Sequence, residues 1–532
     1  MPLLSRNQPS FLQTSTSLSS GSRLKGFSMI AAIRSATLFG VQGHPVTVEV
    51  HVANGLPAFQ IVGLPDDACR ESRDRVRAAV ASSALAWPAS RITVNLAPSG
   101  LRKGGSGLDI AIALGVLVAT GQVASEAVDG LAFLAELGLD GSLRPIPGVA
   151  PMVAALDDVQ WVVAMASAHE ALAVSPQRVR VGSSLREVVD ALNVDGPWPA
   201  VPQNDVTGEV ALLPDLADVR GQPLGRLALE VAAAGGHHLL IVGPPGSGKT
   251  MLAQRLPGLL PPLDAKQAMQ ATMVHSAAGV RLPPGGVVRV APFRAPHHSS
   301  SMVSLVGGGS HSLRPGEISL ATGGVLFLDE LGEFSPTVLD GLRQPLEEGV
   351  IRVARANSRV AMPASFLLVA ATNPCPCGGG PPGACQCDDG ARLRYLRRLS
   401  GPLLDRFDLR VGVARTGVDE LLDTQSSEPT SVVASRVAQA RGHAMSVRGQ
   451  LNAALPASHI DEQAPLTAKA RDMLRTELER DVLTGRGYHR VRRVARTIAD
   501  LQGQPAFVGV EHVGLALQLR VRLGVTSRNR AA

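Results

Sequence analysis

Lysine is scarce in this 532-residue chain, because only five of its 51 basic residues are lysines. The five are Lys25, Lys103, Lys249, Lys266 and Lys469. Chemistry that requires a lysine amine can therefore occupy very few positions, and the long interval between Lys103 and Lys249 offers none.

Aromatic residues make up only 3% of the chain, which argues against a protein that binds single strands by stacking bases on aromatic side chains. Long apolar runs are also missing. The longest, around Ile110–Ala119, is too short for the roughly 30 Å of a bilayer's hydrocarbon core, although mean hydropathy is +0.14. The sequence therefore predicts no membrane partner.

A secretory signal is not recognisable either, because residues 1–28 are rich in serine and lack its apolar segment. They are interpreted as a disordered tail or as a segment upstream of a natural start at Met29, and the sequence leaves Met1 and Met29 open. The chain has five cysteines. A cytoplasmic, reducing location follows, in which thiols bind metal or stay buried more often than they form disulfides.

What the chain does contain suits a folded protein of about three to four domains, with 45% hydrophobic and 18% charged residues. Its net charge of +6 is uneven. Residues 391–532 hold 23 Lys+Arg and 14 Asp+Glu, or +9, whereas the remainder holds 28 and 31, or −3. The basic end indicates contact with a polyanion or, alternatively, arginine-rich solvated helices.

The pattern divides the chain into segments. Alternating strand patterns such as Val46–Val52 and helical spacing such as Asp66–Leu85 predict an α/β region over 29–193. A proline-rich polar stretch predicts a linker over 194–214. A second α/β unit is predicted over 215–412, and a mostly helical region over 413–525. The fold class is therefore α/β.

A phosphate-binding loop is the strongest motif, since an apolar strand at His238–Val242 leads into a glycine-rich run and then into a helical pattern. Its glycines let backbone N–H groups surround phosphates, Lys249 reaches the β- and γ-phosphates of ATP, and Thr250 ligates Mg²⁺. The whole run is Gly243, Pro244, Pro245, Gly246, Ser247, Gly248, Lys249 and Thr250.

A second apolar strand, Val325–Leu328, ends in Asp329 and Glu330. Two carboxylates at a strand end beyond a phosphate-binding loop predict that Asp329 holds Mg²⁺ and that Glu330 activates the attacking water. A third strand ends in Asn373, which is interpreted as a γ-phosphate sensor or, alternatively, as a turn residue.

Arginines complete the predicted catalytic set. Arg406 is placed where it could reach ATP of a neighbouring subunit and neutralise transition-state charge, the alternative being a surface pair with Asp405. Arg486 and Arg490 are both candidates for a sensor arginine in the helical region, and the sequence does not choose between them.

Four cysteines lie within a short glycine- and proline-rich stretch: Cys375, Cys377, Cys385 and Cys387. Four thiols suit a tetrahedral structural Zn²⁺ site, although Cys-x-Cys is tighter than the usual Cys-x₂-Cys. Free buried thiols or a redox-sensitive pair remain the alternatives. Cys69 stands alone on a predicted helix and is expected in the core.

At this point the sequence resembles the ComM (YifB) family of magnesium-chelatase-like AAA+ ATPases. The resemblance covers nearly the whole chain beyond residue 29. It is carried by the Val325–Glu330 strand together with Phe293–Ser299, Leu305–Gly309, Pro315–Leu320, Asn373–Gly378, Ser400–Asp408 and Gly487–Asp500.

The resemblance implies an AAA+ P-loop core over 215–412 with a helix-2 insertion and a pre-sensor hairpin, followed by a C-terminal helical lid over 413–525. It also implies a homohexameric ring with ATP between subunits. The implied role is DNA remodelling, in which the motor drives branch migration and strand integration in natural transformation. Single-stranded or branched DNA would then be the partner.

The resemblance places DNA contacts on the hairpin, where Arg352, Arg355 and Arg359 could face a central pore and meet phosphates. Pairing of these arginines with Glu347 and Glu348 is the alternative. His297 and His298 lie on the insertion and are interpreted as structural or substrate-facing residues.

Residues 29–193 resemble the Lon-protease fold, with Ser106 where that family has its nucleophile. A Ser–Lys dyad needs a lysine base, yet this chain has Ala150 at the matching position. We therefore expect no peptidase activity. The leading hypothesis is an ATP- and Mg²⁺-dependent DNA motor; the alternative is a chelatase-like ATPase that remodels proteins.

Overall fold

The computed structural model describes residues 29–193, 196–202, 213–309, 313–355, 358–379, 385–399, 401–422, 427–503 and 506–521. The expected tail 1–28 and much of the expected linker 194–214 lie outside these residues. Within the described ranges, no helix combines the length and the apolarity that crossing a membrane requires.

The N-terminal region is built on a seven-stranded mixed sheet in the order β3-β4-β2-β1-β5-β8-β9. Its elements are β1 (Ile30–Phe39), β2 (Gln42–Ala53), β3 (Ala58–Val62), α1 (Asp67–Ser82), β4 (Arg91–Ala97), α2 (Asp109–Ala119), β5 (Leu131–Leu134), β6 (Glu136–Leu137), β7 (Leu143–Arg144), α3 (Val149–Val153), β8 (Gln160–Ala164), α4 (Ala168–Val174), β9 (Val179–Gly182) and α5 (Leu185–Asn193).

Helix α2 lies against this sheet and is buried along its whole length, as its apolar sequence predicts. It can approach closely because Gly115 faces β2, where a Cβ would come within 2.5 Å of the Val50 side chain. Helix α1 begins one residue later than its pattern indicated, because Asp66 caps it by accepting a hydrogen bond from the Cys69 amide at 2.8 Å.

The central region contains a five-stranded, all-parallel sheet in the order β11-β14-β17-β10-β18. Its elements are α6 (Pro223–Gly235), β10 (Leu239–Val242), α7 (Lys249–Leu259), α8 (Ala265–Ala278), β11 (Phe293–Arg294), α9 (Met302–Val306), β12 (Gly307–Gly308), β13 (Arg314–Pro315), α10 (Glu317–Leu320), β14 (Val325–Leu328), α11 (Pro336–Gly341), α12 (Arg343–Glu348), β15 (Val350–Arg355), β16 (Ser358–Pro363), β17 (Leu367–Thr372), α13 (Asp389–Arg398), α14 (Gly401–Leu404) and β18 (Leu409–Gly412).

Strands β10, β14 and β17 are buried at every position, which is why they read as continuous apolar runs rather than as alternating ones. Parallel strands present their carboxyl ends at one edge of the sheet, and loops at that edge form the usual ligand site of an open α/β sheet. The phosphate-binding loop, Asp329 and Asn373 all follow such strand ends.

The C-terminal region is helical, as the sequence predicts. Its helices are α15 (Val418–Leu422), α16 (Thr430–Arg448), α17 (Ile460–Gln463), α18 (Ala468–Glu479), α19 (Gly485–Leu501) and α20 (Val510–Gln518). Apolar residues of α16 and α19 share one buried cluster with α6 and with strands β10 and β18. The helical region therefore packs directly on the sheet that carries the loop.

The N-terminal region contacts the central one through apolar and polar groups. Val41, at the turn between β1 and β2, belongs to the same buried cluster as Val360 of β16. The Gly148 amide donates to the Ser276 carbonyl at 2.9 Å. Glu170 accepts from the Ala150 amide at 2.8 Å and also contacts the Ser276 hydroxyl. The two regions therefore meet along α3 and α8.

Candidate functional site

The phosphate-binding loop joins β10 to α7, as the motif predicts. Gly246 and Gly248 have φ values of +77° and +80°, a left-handed conformation that side chains with a Cβ rarely adopt. Gly248 is the N-cap of α7, so the loop leads directly to the amino end of a helix, where backbone N–H groups and the helix dipole favour an anion. The Ser247 hydroxyl is buried and has no hydrogen-bond partner among the described residues.

Lys249 lies across the loop and connects it to the neighbouring strand. Its Nζ donates to the carbonyls of Gly243 at 2.9 Å and Pro244 at 3.0 Å, and to Oδ1 of Asn373 at 3.1 Å. Burial lowers the pKa of Lys249, and the nearby carboxylates Asp329 and Glu330 oppose that shift. The structure therefore brings the predicted phosphate-binding lysine and the predicted sensor asparagine together.

Thr250 and Asp329, the two predicted Mg²⁺ ligands, also lie side by side. The Thr250 hydroxyl donates to Oδ2 of Asp329 at 2.7 Å. A hydroxyl and a carboxylate converging beside a phosphate-binding loop form the hard oxygen donor set that Mg²⁺ prefers together with substrate phosphates. These residues therefore fit a Mg²⁺–nucleotide complex.

Glu330 is in a strained conformation, with φ +51°, at the carboxyl end of β14. Its Oε2 lies 3.3 Å from Nδ1 of His298. These two residues line a cavity of about 300 Å³ together with Thr250 and Asp329. The sequence predicts a structural or substrate-facing role for His298. The structure places this residue against Glu330, the predicted catalytic carboxylate.

The His298 ring is itself held by aromatic neighbours. It packs on the ring of His297 with centroids 4.1 Å apart, and edge-on against Phe334 at 6.5 Å. His297 instead faces Ser299, with Nδ1 at 2.8 Å from the serine hydroxyl. The paired histidines were visible in the sequence, but nothing in the spacing indicated which one would meet Glu330.

Arg406 forms an ion pair with Glu347 of the same chain. The alternative prediction, a surface pair with Asp405, therefore named the wrong acidic partner. Asp405 instead lies 3.8 Å from both Arg410 and Arg486. Partial burial lowers the pKa of Arg406, and the charges of Arg490, Arg486 and Arg343 lower it further. Such a concentration of positive charge favours an anion.

The two sensor candidates differ in their surroundings. The Arg486 side chain is 80% exposed, whereas that of Arg490 is 14% exposed and donates to Oδ1 of Asp408 at 2.9 Å. Oδ2 of Asp408 lies 2.9 Å from Nδ1 of His237. Burial alone would raise the pKa of Asp408, but the contacts with His237 and Arg490 outweigh it and the pKa is lowered. Arg490 is thus part of a buried network, and Arg486 is the more accessible candidate.

The four clustered cysteines converge, as the sequence predicts. Their sulfur atoms all lie within 4.8 Å of one another, and the pairs Cys375–Cys377 and Cys375–Cys385 are each 3.4 Å apart. A Zn²⁺ ion with about 2.3 Å bonds needs sulfurs about 3.8 Å apart. Hydrogen bonds from the Gly379 and Gln386 backbone lower the pKa of Cys377 to about 6, which favours the thiolate that a metal requires. The arrangement fits a Cys₄ metal site.

Cys69 is buried in the N-terminal core, as expected, and burial raises the pKa of its thiol to about 12. On the hairpin of β15 and β16, the exposed Arg352 pairs with Glu348 at 2.5 Å, in agreement with the alternative given for it. The side chains of Arg355 and Arg359 lie outside the described residues.

The N-terminal region places Ser106 beside a carboxylate. Its hydroxyl contacts Glu136, at the rim of a cavity of about 980 Å³ that Arg102 and Arg314 also line. Lys103 is buried and donates to the Pro98 carbonyl. Ala150, at the position matched to a catalytic lysine, is buried against Glu170.

Comparison with protein families matches all three regions. Residues 215–421 match the family described as magnesium chelatase, subunit ChlI. Residues 48–167 match the one described as subunit ChlI of Mg-chelatase, and residues 427–520 match magnesium chelatase, subunit ChlI C-terminal.

Individual proteins agree with this assignment. The chain is 43% identical over 482 residues to Competence protein ComM of Haemophilus influenzae, covering 89% of this chain and 94% of that protein. It is 38% identical over 494 residues to the protein YifB of Escherichia coli, covering 92% and 97%. A stretch of 203 residues is 26% identical to the Probable DNA helicase MCM9 of Arabidopsis thaliana, covering 38% of this chain and 25% of that protein. With these matches along almost its entire length, the chain belongs to the ComM/YifB family of magnesium-chelatase-like AAA+ proteins.

Proposed function

We propose that this chain is a Mg²⁺-dependent ATPase that assembles as a homohexameric ring and drives branch migration of DNA during homologous recombination. The observation that carries the ATPase assignment is the convergence of Lys249, Thr250, Asp329 and Asn373 at one edge of the parallel sheet. These four side chains come from three separate strand ends, and each supplies a group that can bind the phosphates or the Mg²⁺ of a nucleoside triphosphate.

Each residue has a role in hydrolysis that follows from its chemistry. The loop amides and Lys249 bind the phosphates, and Lys249 exchanges its carbonyl contacts for phosphate oxygens. Thr250 and Asp329 hold Mg²⁺, which when bound neutralises charge on the phosphate oxygens. Glu330 orients the attacking water and accepts its proton, and Asn373 contacts the γ-phosphate.

Arg406 supplies positive charge to ATP held by the adjacent subunit, and Arg486 supplies a second arginine from the helical region. The proposal requires Arg406 to leave Glu347 when a neighbouring subunit docks, since that pair lies within one chain. The cysteine cluster holds a structural Zn²⁺. The Lon-like N-terminal region takes no part in peptide hydrolysis, because Ser106 contacts Glu136 and the matched lysine position is Ala150.

DNA as the substrate is supported by the names of two relatives, a competence protein and a probable DNA helicase. The exposed Arg352 on the hairpin of β15 and β16 can contact phosphate once its surface pair with Glu348 is exchanged. A chelatase-like ATPase that remodels a protein partner is the second candidate, because the family descriptions name magnesium chelatase in all three regions.

A branch-migration assay separates these candidates. Purified protein, ATP and a synthetic four-way junction with a labelled strand are incubated with wild type, Lys249→Ala or Glu330→Gln. We expect wild type alone to separate the junction into duplexes by branch migration and to hydrolyse ATP faster when DNA is present. ATP hydrolysis without stimulation by any DNA, and without branch migration, would favour the protein-remodelling candidate instead.

A further inference from the structure

The loop after β17 packs against the phosphate-binding loop. Gly378 is buried there, with φ +72°, and a Cβ built on it would lie 2.6 Å from Cδ and 2.8 Å from Cγ of Pro245. Carbon atoms in favourable contact are about 3.5–4 Å apart, so the gap is filled and nothing larger than glycine fits. The backbone of one loop therefore packs directly on a side chain of the other.

A displacement of the Pro245 ring would also move the backbone of the phosphate-binding loop. Its Cδ is bonded to its own backbone nitrogen, so the ring cannot rotate away as a flexible side chain would. The Pro245 carbonyl is held from another side, where it accepts a hydrogen bond from Nε of Arg415 at 3.1 Å. Displacement of the ring would thus move the loop amides that surround a phosphate.

The cysteines determine where Gly378 lies. Cys375 and Cys377 precede it, and Cys377 Sγ accepts a hydrogen bond from the Gly379 amide at 3.4 Å. Cys385, from beyond residues 380–384, lies 3.4 Å from Cys375 and 3.6 Å from Cys377, which ties the two arms together. Asn373, at the start of the same segment, contacts Lys249.

We infer that the cysteine loop, which comprises residues 373–379 with Cys385 and Cys387, is a positioning element of the nucleotide site. Gly378 supports Pro245 and holds the phosphate-binding loop in the conformation that receives ATP. An intact four-cysteine cluster therefore raises nucleotide affinity through Pro245, without its sulfurs serving as nucleotide ligands. The inference rests on the proposed ATPase function.

Gly378→Ala tests the contact directly, and Gly449→Ala is its matched control. Gly449 has φ +68°, and a Cβ added there would meet nothing within 4 Å, so both variants adopt the same disfavoured backbone but only Gly378→Ala meets Pro245. We expect Gly378→Ala to weaken binding of a fluorescent ATP analogue about tenfold and to raise KM more than it lowers kcat. Equal affinities of the two variants would overturn the inference.

Pro245→Ala provides the partner for a double-mutant cycle, because it removes the Cγ and Cδ atoms that the new methyl group would meet. We expect Gly378→Ala to cost less than about twofold in affinity when Pro245 is already alanine. If the losses of affinity in the two single variants simply add in the double variant, Gly378→Ala does not act through Pro245, and the proposed contact is contradicted.

Reversible thiol modification tests the cluster and does not depend on how the variants fold. Wild type is treated with methyl methanethiosulfonate and then restored with dithiothreitol and Zn²⁺, while nucleotide affinity and circular dichroism are followed. We expect affinity to fall and to recover with the thiols. Unchanged affinity after modification of Cys377 and Cys385 would overturn the inference, whereas an untreated protein that binds no nucleotide would overturn the proposed function itself.

Discussion

A glycine-rich turn precedes a helix at two places in this chain, at Gly104–Gly107 before α2 and at Gly243–Gly248 before α7. At the start of α2, Asp109 is completely buried, and its carboxylate accepts from Arg75 at 2.7 Å. At the start of α7, Thr250 is exposed beside Asp329, and the Lys249 amine is within reach of a ligand. The polar start of α2 is bound within its own domain, whereas the polar start of α7 faces an open site.

The difference lies in the residues that come after each turn. Helix α2 is apolar at nearly every position after Asp109, so it can only be stable when buried, and burial forces its polar start to find partners inside the protein. Helix α7 begins with Lys249 and Thr250, which remain accessible. Glycines in a turn permit close approach of a ligand, and the polarity of the next few residues determines whether a ligand can arrive.

The largest expected effect tests the open turn. Asp329→Asn keeps the size of the side chain but removes the negative charge beside Thr250. We expect ATP hydrolysis to fall by about 100-fold or more, since Mg²⁺ loses a charged ligand, while thermal stability is retained. Steady-state hydrolysis measured across Mg²⁺ concentrations checks this, and a rate close to that of wild type would contradict the assignment.

The same substitution at the buried start of α2 should lower the stability of the fold instead of ATP hydrolysis. Asp109→Asn removes the buried charged partner of Arg75, whose side chain is 19% exposed, and leaves it the exposed Glu71 at 3.6 Å. Removing one member of a buried ion pair costs about 3–5 kcal/mol, and the partial exposure of Arg75 favours the lower end. ATP hydrolysis per folded molecule should remain unchanged.

Urea unfolding monitored by tryptophan fluorescence measures this loss, because Trp87, Trp161 and Trp198 all lie in or beside the N-terminal region. Asp74→Asn is the control, since Asp74 forms an exposed pair with Arg73 that is worth little. Equal unfolding curves for Asp109→Asn and Asp74→Asn would show that the buried pair of Asp109 adds no more stability than an exposed pair.

A smaller effect is expected at His298, which belongs to the open site without contributing to phosphate binding. His298→Ala removes the contact that orients Glu330, so we expect kcat to fall about three- to tenfold with little change in KM. His297→Ala removes a ring that packs on His298 but leaves the contact between His298 and Glu330, so kcat should fall less than it does in His298→Ala. A larger effect at His297 than at His298 would show that the orientation of Glu330 has another source.

No measurable effect on ATP hydrolysis is expected from Ser106→Ala in the turn before α2. The Ser106 hydroxyl contacts Glu136, and a nucleophilic serine would need a base such as a lysine amine. A serine-hydrolase probe should therefore leave wild type unlabelled. Covalent labelling of Ser106 would mean that both turns are active sites.

The sequence was sufficient to predict which residues of the open site lie together, because each follows the end of a strand. Each polar residue follows a continuous apolar strand, and parallel strands bring such ends to one edge, so Lys249, Asp329 and Asn373 could be placed together without coordinates. Helix α2 was equally predictable from its uninterrupted apolar residues.

Contacts between distant segments could not be predicted in this way. His298 reaches Glu330 from the loop after another strand of the sheet, Arg406 meets Glu347 rather than its neighbour Asp405, and Gly378 meets Pro245. Such pairings depend on the path of loops, and loop paths carry no periodic signal. Glycine and histidine at these positions are compatible with many environments.

The turn between β1 and β2 has a consequence for how the chain folds as it is made. Gly40 and Val41 are synthesised early, but they pack with Val360, and a Cβ at Gly40 would lie 2.6 Å from that valine's side chain. At about 5–20 residues per second, a ribosome needs tens of seconds to reach Val360. During that interval the N-terminal sheet can form with an apolar tip still exposed.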